Sequence, residues 1–164
     1  PPPPPPRRLF FLMIRVPPRS TRKESSAASD VYKRQNLFTV VGEMEEPNFP
    51  DGLDKIFNIM TYHDAVWSKA DRELMNQNIF NTLVSGGIYG ILDHNSKEGR
   101  GIDNCHDIHR IEKTFVIEEV LSSGFILDSE SQILENTSDD CSAMVFEKDI
   151  RDRTSRFLLR FKKP

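Results

Sequence analysis

Two short apolar runs, each closing on an acid beside a histidine and separated by a stretch with helical spacing, restrict this chain's fold more than any other feature. In "LDKIFNIMTYHDAVW", Ile56 to Met60 are interrupted only by Asn58, and Tyr62, His63, Asp64 and Trp67 follow at once. "GIYGILDH", residues 87–94, repeats the theme and ends in Asp93 and His94. Neither run alternates strictly, as expected of strands covered on both faces. Between them Met75, Ile79 and Leu83 recur at helical spacing, with Ser68 as the expected cap, Asp71 and Glu73 in the early turns and Gly86-Gly87 as the expected stop. Strand, helix and strand in that order form a right-handed crossover between parallel strands. Strands 56–61 and 88–92 would then point the same way. His63, Asp64, Asp93 and His94 would share one rim, where α/β sheets bind their ligands.

Elements on either side extend the pattern. "NLFTVV", residues 36–41, reads as a short strand followed by a Pro/Gly-rich loop. Ile108, Ile111, Phe115, Val120 and Leu121 suggest a second amphipathic helix with Gly124 after its last turn. "FILDSESQIL" and "RFLLRF" read as two more strands, expected to form a final β-hairpin, while residues 135–154 between them are polar and carry no pattern. The fold class is α/β.

Charge divides the chain in two. Residues 1–35 hold eight of the 11 prolines and eight basic residues against Glu24 and Asp30, whereas residues 36–164 carry 14 basic and 23 acidic residues. The head, net +6, begins with a proline homopolymer confined to polyproline II and continues without period, so it is expected to be a disordered leader. "LFFLMI" after Arg7-Arg8 imitates an export signal but is short of the usual apolar core of about 7–15 residues. "SSAASDVYKRQ" resembles the translated sequencing-adapter read-through found at the ends of metagenomic reading frames, which implies that the leader is not native and that the natural amino-terminal part is missing. The body, net −9, argues against a nucleic-acid surface. No apolar run is long enough for a membrane span. Cys105 and Cys141 make no disulfide framework, so the default compartment is the cytoplasm, with export left open by the missing start.

Four stretches, "VVGEMEEPNFPDGLDKIFNIMTYHDAVW", "LVSGGIYGILDHN", "HRIEKTFVIEEVLSSGF" and "RFLLRFKKP", together resemble class I S-adenosylmethionine-dependent methyltransferases, in particular a bacterial group of predicted methyltransferases. The likeness covers nearly all of residues 36–164 and lies in the order and spacing of the blocks. It implies a truncated Rossmann-like sheet made of the late strands. It further implies S-adenosylmethionine as cofactor and a small-molecule acceptor. Glu43 matches the position of an acid facing the adenine amino group, a solvated loop acid being the alternative. "TYHDAVW" matches the segment facing methyl donor and acceptor, with Tyr62 and Trp67 as stacking candidates beside the cofactor and core filling as an equally good reading of both. Val84-Ser85 replaces Lys-Pro in a turn before the next strand. The Gly-rich turn and the ribose-binding acid of such enzymes have no counterpart here, so this portion alone is expected to bind the cofactor poorly and to be inactive.

Methyl transfer asks the protein to align an acceptor and, where needed, remove its proton. His63 or His94 suits the base and Asp64 or Asp93 the orienting acid, with Asp93 also a substrate-binding candidate. A strand-end histidine satisfying buried backbone groups is the structural alternative. Histidines 63, 94, 106 and 109 near Asp64, Asp93 and Cys105 also raise a metal-dependent hydrolase, but no standard zinc spacing occurs and no metal is assigned. His109 and Arg110 are expected to pack at a helix start, with Arg110 reaching acids. A non-enzymatic module that joins a partner through a sheet edge is the remaining alternative.

Overall fold

The computed structural model describes residues 9–14 and 37–164. Of the expected leader, only Leu9–Ile14 falls within them. That segment is a strand, β1, paired antiparallel with β2 (Leu37–Gly42), from Leu9 opposite Gly42 to Ile14 opposite Leu37. The rest of the disordered-leader expectation lies outside the described residues. The strand expected at 36–41 is present, but its partner is β1 and not the main sheet.

The main sheet has four strands. β3 (Leu53–Ile59) leads through the short helix α1 (Tyr62–Trp67) and α2 (Arg72–Thr82) into β4 (Leu83–His94), and α3 (Lys113–Ser122) precedes β5 (Ile126–Ser131) and β6 (Arg156–Lys162). The spatial order is β3-β4-β6-β5. β3 and β4 are parallel, as the crossover requires, while β6 runs antiparallel to both its neighbours and separates β4 from β5. The expected pairing of the last two strands is therefore present, with residues 132–155 between them in place of a tight turn.

Boundaries differ where capping was misjudged. Asp71, not Ser68, caps α2, its carboxylate accepting from the Leu74 N–H at 3.0 Å. Ser68 instead closes α1, its N–H bonding to the Asp64 carbonyl at 2.8 Å. Gly86-Gly87 does not stop the helix. The chain enters β4 directly at Leu83, and Val84 to Gly87 bulge outward, because the register against β3 jumps from Leu53–Leu83 to Lys55–Ile88. Gly86, at φ +78°, supplies the left-handed conformation this bulge needs. α3 starts later than expected, so Ile108 and Ile111 lie in the loop before it.

One face of the sheet carries the core. Ile56, Tyr89, Ile91, Phe157, Leu159 and Phe161 pack against Met75 and Ile79 of α2 and Val116 and Val120 of α3. Full burial of such side chains contributes about 1.5–3 kcal/mol each before conformational entropy opposes it. Phe57 and Ile59, which alternate with Ile56 and Asn58, are more than half exposed, so β3 is covered on one face only. The strict two-sided burial inferred from its sequence does not hold for this edge strand.

Residues 132–155 have no regular structure but are firmly tied. Arg110, with no exposed surface, makes a paired contact to Asp139 at 2.9 and 3.1 Å and donates to the carbonyls of Asn95 and Ala143. Asp139 also accepts from the backbone N–H groups of Ser155 and Cys141. These bonds hold the segment against the end of β4, where Asn95 N–H meets the Ser155 carbonyl at 2.9 Å. Among the described residues no helix is long and apolar enough to cross a membrane.

Candidate functional site at the ends of the parallel strands

The two strand ends meet as their direction demands. Ile59 stands opposite Leu92, and the Met60 N–H bonds to the Leu92 carbonyl at 2.7 Å. Met60 then turns through φ 58°, a left-handed conformation uncommon outside glycine, and sets α1 immediately over the end of β4. The first turn of α1 thereby places His63 on Asp93. The Asp93 carboxylate, with no exposed surface, accepts from the His63 N–H at 2.9 Å, from His63 Nδ1 at 2.6 Å and from the His94 N–H at 2.8 Å.

That arrangement fixes the imidazole. With Nδ1–H held by the carboxylate, the lone pair of His63 lies on Nε2. Burial works against charging the ring, but the hydrogen bond and charge of Asp93, joined by Asp64, outweigh it and raise the His63 pKa above its ordinary value. Nε2 lies 3.4 Å from Asp64 Oδ1 and 3.3 Å from His109 Nδ1. His109 approaches edge-on, its ring centroid 5.3 Å from that of His63, and the side chains of Asp64 and His109 are 29% and 24% exposed. The buried His63–Asp93 pair thus opens to solvent through these two residues.

His94 belongs to the same rim in a different state. Its ring centroid is 6.0 Å from that of His63, and its Nδ1 is 2.7 Å from the Thr154 hydroxyl. Burial pushes its pKa down to about 4; Asp93 opposes this, and His63, Arg110 and Arg156 add to it. It is neutral near pH 7.

Several expectations require correction. Tyr62 has no exposed surface: its hydroxyl donates to Glu119 at 3.0 Å and accepts from Asn76 at 2.8 Å. It is a core residue whose phenol pKa is raised well above 10, by burial first and then by Tyr89 and Glu119. No face of its ring is open to a cofactor. Asp93 does not present itself to a substrate either, because its oxygens are occupied by His63 and His94 in a buried position. The remaining cofactor candidates are peripheral: Glu43 is exposed, and Trp67 is half-buried with its ring 6.3 Å from that of His106. Met44, next to Glu43, accepts from the Ser68 hydroxyl at 3.3 Å, so this segment does lie against the end of α1.

His109, grouped with His63 and Asp64 in sequence only as a metal candidate and otherwise expected to pack at a helix start, joins the rim. It precedes α3 in a loop, 46 positions from His63, and its left-handed φ of 56° aims the ring toward the site. The interlock of Arg72, Glu119, Tyr62 and Asn76 was not foreseen. Arg72 Nη2 reaches Glu119 at 2.7 Å, binding α2 to α3 beneath α1. Glu119 sits among apolar residues of an amphipathic helix, which was its one available signal.

No protein-family model matches the sequence, and no curated protein does. Solved structures do. Over 75% of this chain and 59% of the other, the fold matches a chain from the complex between the Haloferax volcanii Trm112 methyltransferase activator and its candidate methyltransferase, with 16% identity and a TM-score of 0.53. The [4+2]-cyclase SpnF matches over 75% of this chain and 54% of its own, with 14% identity and a TM-score of 0.51. An S-adenosylmethionine-dependent methyltransferase from Mesorhizobium loti also matches, with 12% identity and a TM-score of 0.48 over 74% of this chain and 67% of its own. This chain thus spans between half and three-fifths of the first two. The fold is a partial Rossmann-like sheet, shared with the first two of these structures.

The residues described here do not by themselves fit the S-adenosylmethionine that the sequence resemblance implies. Tyr62 is sealed in the core, and no Gly-rich turn leads from a strand into a helix among them, since Gly86-Gly87 follows α2 and bulges from β4.

Proposed function

We propose that this chain is the acceptor-side portion of an S-adenosylmethionine-dependent methyltransferase acting on a small molecule, and that it is inactive without further chain to hold the cofactor. The observation that carries this reading is the contact of His63 with Asp93 at the carboxyl ends of two parallel strands, where this fold class binds ligands. The methyl group would come from the bound sulfonium. His63 Nε2 receives the hydroxyl or amine proton of the acceptor, because Asp93 holds the opposite nitrogen. Asp64, 3.4 Å from Nε2, turns the acceptor toward it. Asp93 positions His63 and does not touch the acceptor. His94, neutral and tied to Thr154, lines the inner wall.

The test is a thermal shift with S-adenosylmethionine. A ligand at a hundredfold excess over its Kd adds about 2.7 kcal/mol to stability, a shift of several degrees. This chain joined to a Gly-rich strand-turn-helix that supplies the cofactor loop should show it, and the 164-residue chain alone should not. Absence of a shift in the joined protein, or a shift in the chain alone, would overturn the proposal.

A further inference from the structure

We propose that His63 Nε2, Asp64 Oδ1 and His109 Nδ1 form a binding site for a divalent transition cation of the zinc class, with a fourth position open to solvent or to an oxygen ligand. This goes beyond the methyl-transfer reading and does not depend on it: a bound cation engages the Nε2 lone pair, so His63 serves as a base only in the cation-free protein. The three atoms are 3.4, 3.3 and 3.8 Å apart, for His63–Asp64, His63–His109 and His109–Asp64 respectively. A tetrahedral cation with bonds of about 2.1 Å separates its ligands by about 3.4 Å. An octahedral cation with the same bonds would bring adjacent ligands to about 3.0 Å, closer than any of these pairs. Among the described residues this is the group of His, Cys, Asp and Glu atoms with metal-ligating proximity.

Two further observations point to a cation independently of those distances. Behind His63 stands the outer carboxylate that zinc histidines characteristically have: Asp93 Oδ1 takes Nδ1–H at 2.6 Å, fixing the tautomer in which Nε2 ligates. His109 is held in the left-handed region, at φ 56°, in the conformation that turns its Nδ1 onto His63 Nε2. The donor set is nitrogen and oxygen only. Cys105 is fully buried and its sulfur lies outside this group. His106 pairs with Asp107 at the surface, outside the triangle. Asp64 with Asp93 behind it gives the site the negative charge a divalent cation needs, and the half-exposed Asp64 and His109 leave a route in.

The test uses Co2+ added to the full, untagged chain. One equivalent should bind with the intense visible absorption of four- or five-coordinate cobalt, and one equivalent of Zn2+ should abolish it. Asp64→Asn and His109→Gln should each weaken binding at least about tenfold, and Asp93→Asn about 10–100-fold through the loss of its support for His63. His106→Gln should leave binding within about twofold. Should His109→Gln fail to fold, Asp64→Asn decides, because that carboxylate is near the surface: undiminished cobalt affinity there overturns the proposal. The weak absorption of six-coordinate cobalt, or a His106→Gln loss equal to that of His109→Gln, overturns it as well.

Discussion

His63 and Asp93, 30 positions apart in sequence, are joined twice: the carboxylate accepts both the backbone N–H and the ring Nδ1 of the histidine. A single buried acid thereby sets where α1 begins, which way the imidazole faces and which of its nitrogens is presented to the crevice. Asp93→Asn keeps the shape but replaces one acceptor oxygen with a donor facing donors. The expected cost is about 3 kcal/mol, measured by urea unfolding, with an unchanged fold by circular dichroism. A loss below about 1 kcal/mol would mean that the contact does not organise the rim.

The buried Arg110–Asp139 pair is predicted to be asymmetric in its response to mutation. Removing Arg110 alone (Arg110→Met) leaves Asp139 uncompensated and should cost about 3–5 kcal/mol. The double variant Arg110→Met/Asp139→Leu should recover part of that loss, although Asp139 also accepts from Ser155 and Cys141. A double-mutant cycle by chemical denaturation gives the coupling energy, and additive losses would count against a cooperative clamp on residues 132–155.

Acid should weaken the fold through His94. Its folded pKa, about 4, lies below the ordinary value of 6.5, so below pH 6.5 the unfolded chain binds the proton more readily. The stability arising from neutral His94 is complete above pH 6.5 and is lost as pH falls toward 4, with a slope of at most about 1.4 kcal/mol per pH unit. His94→Gln should flatten that part of the stability profile. An identical profile in the variant would show that His94 titrates normally in the folded protein.

Two glycines of β4 should respond unequally to alanine. At Gly87 an added Cβ would lie 2.8 Å from the Val84 carbonyl oxygen, a backbone atom fixed by the bulge. At Gly90 it would meet the Phe57 ring at 2.5 Å, but that ring is 53% exposed and can swing away. Gly87→Ala is expected to lose about 1–3 kcal/mol, and Gly90→Ala less than about 1 kcal/mol. Thermal melting of the two variants checks the order.

The central crossover was legible because its signals are local: apolar runs of strand length, helical spacing between them, and polar residues at each run's end. From direction alone the shared rim of His63, Asp64, Asp93 and His94 follows, and the structure assembles it. The division of labour within the rim was not legible, since which carboxylate is buried depends on the angle at which α1 leaves Met60, and nothing in the residue types encodes a left-handed methionine. Residue type left Tyr62 open between a stacking face and core filling; the structure takes the second, its hydroxyl finding Glu119 and Asn76 from two other helices. Which of the four histidines would meet His63 was not legible, because the position of His109 depends on a loop folded by Arg110, Asp139 and distant backbone, a set of contacts with no periodicity to read. Ser68 and Asp71, three positions apart, are both good caps, and only the tertiary turn after Trp67 decides between them.

The most direct measurement of the account is the rate of S-adenosylhomocysteine formation by the cofactor-holding protein that the proposal requires, at saturating S-adenosylmethionine and across a panel of hydroxyl and amine acceptors, with and without His63→Ala. The account predicts a fall of about a hundredfold or more in the variant for whichever acceptor turns over. A rate equal to that of the unaltered protein would contradict it, because His63 would then have no part in the chemistry at the ends of the parallel strands.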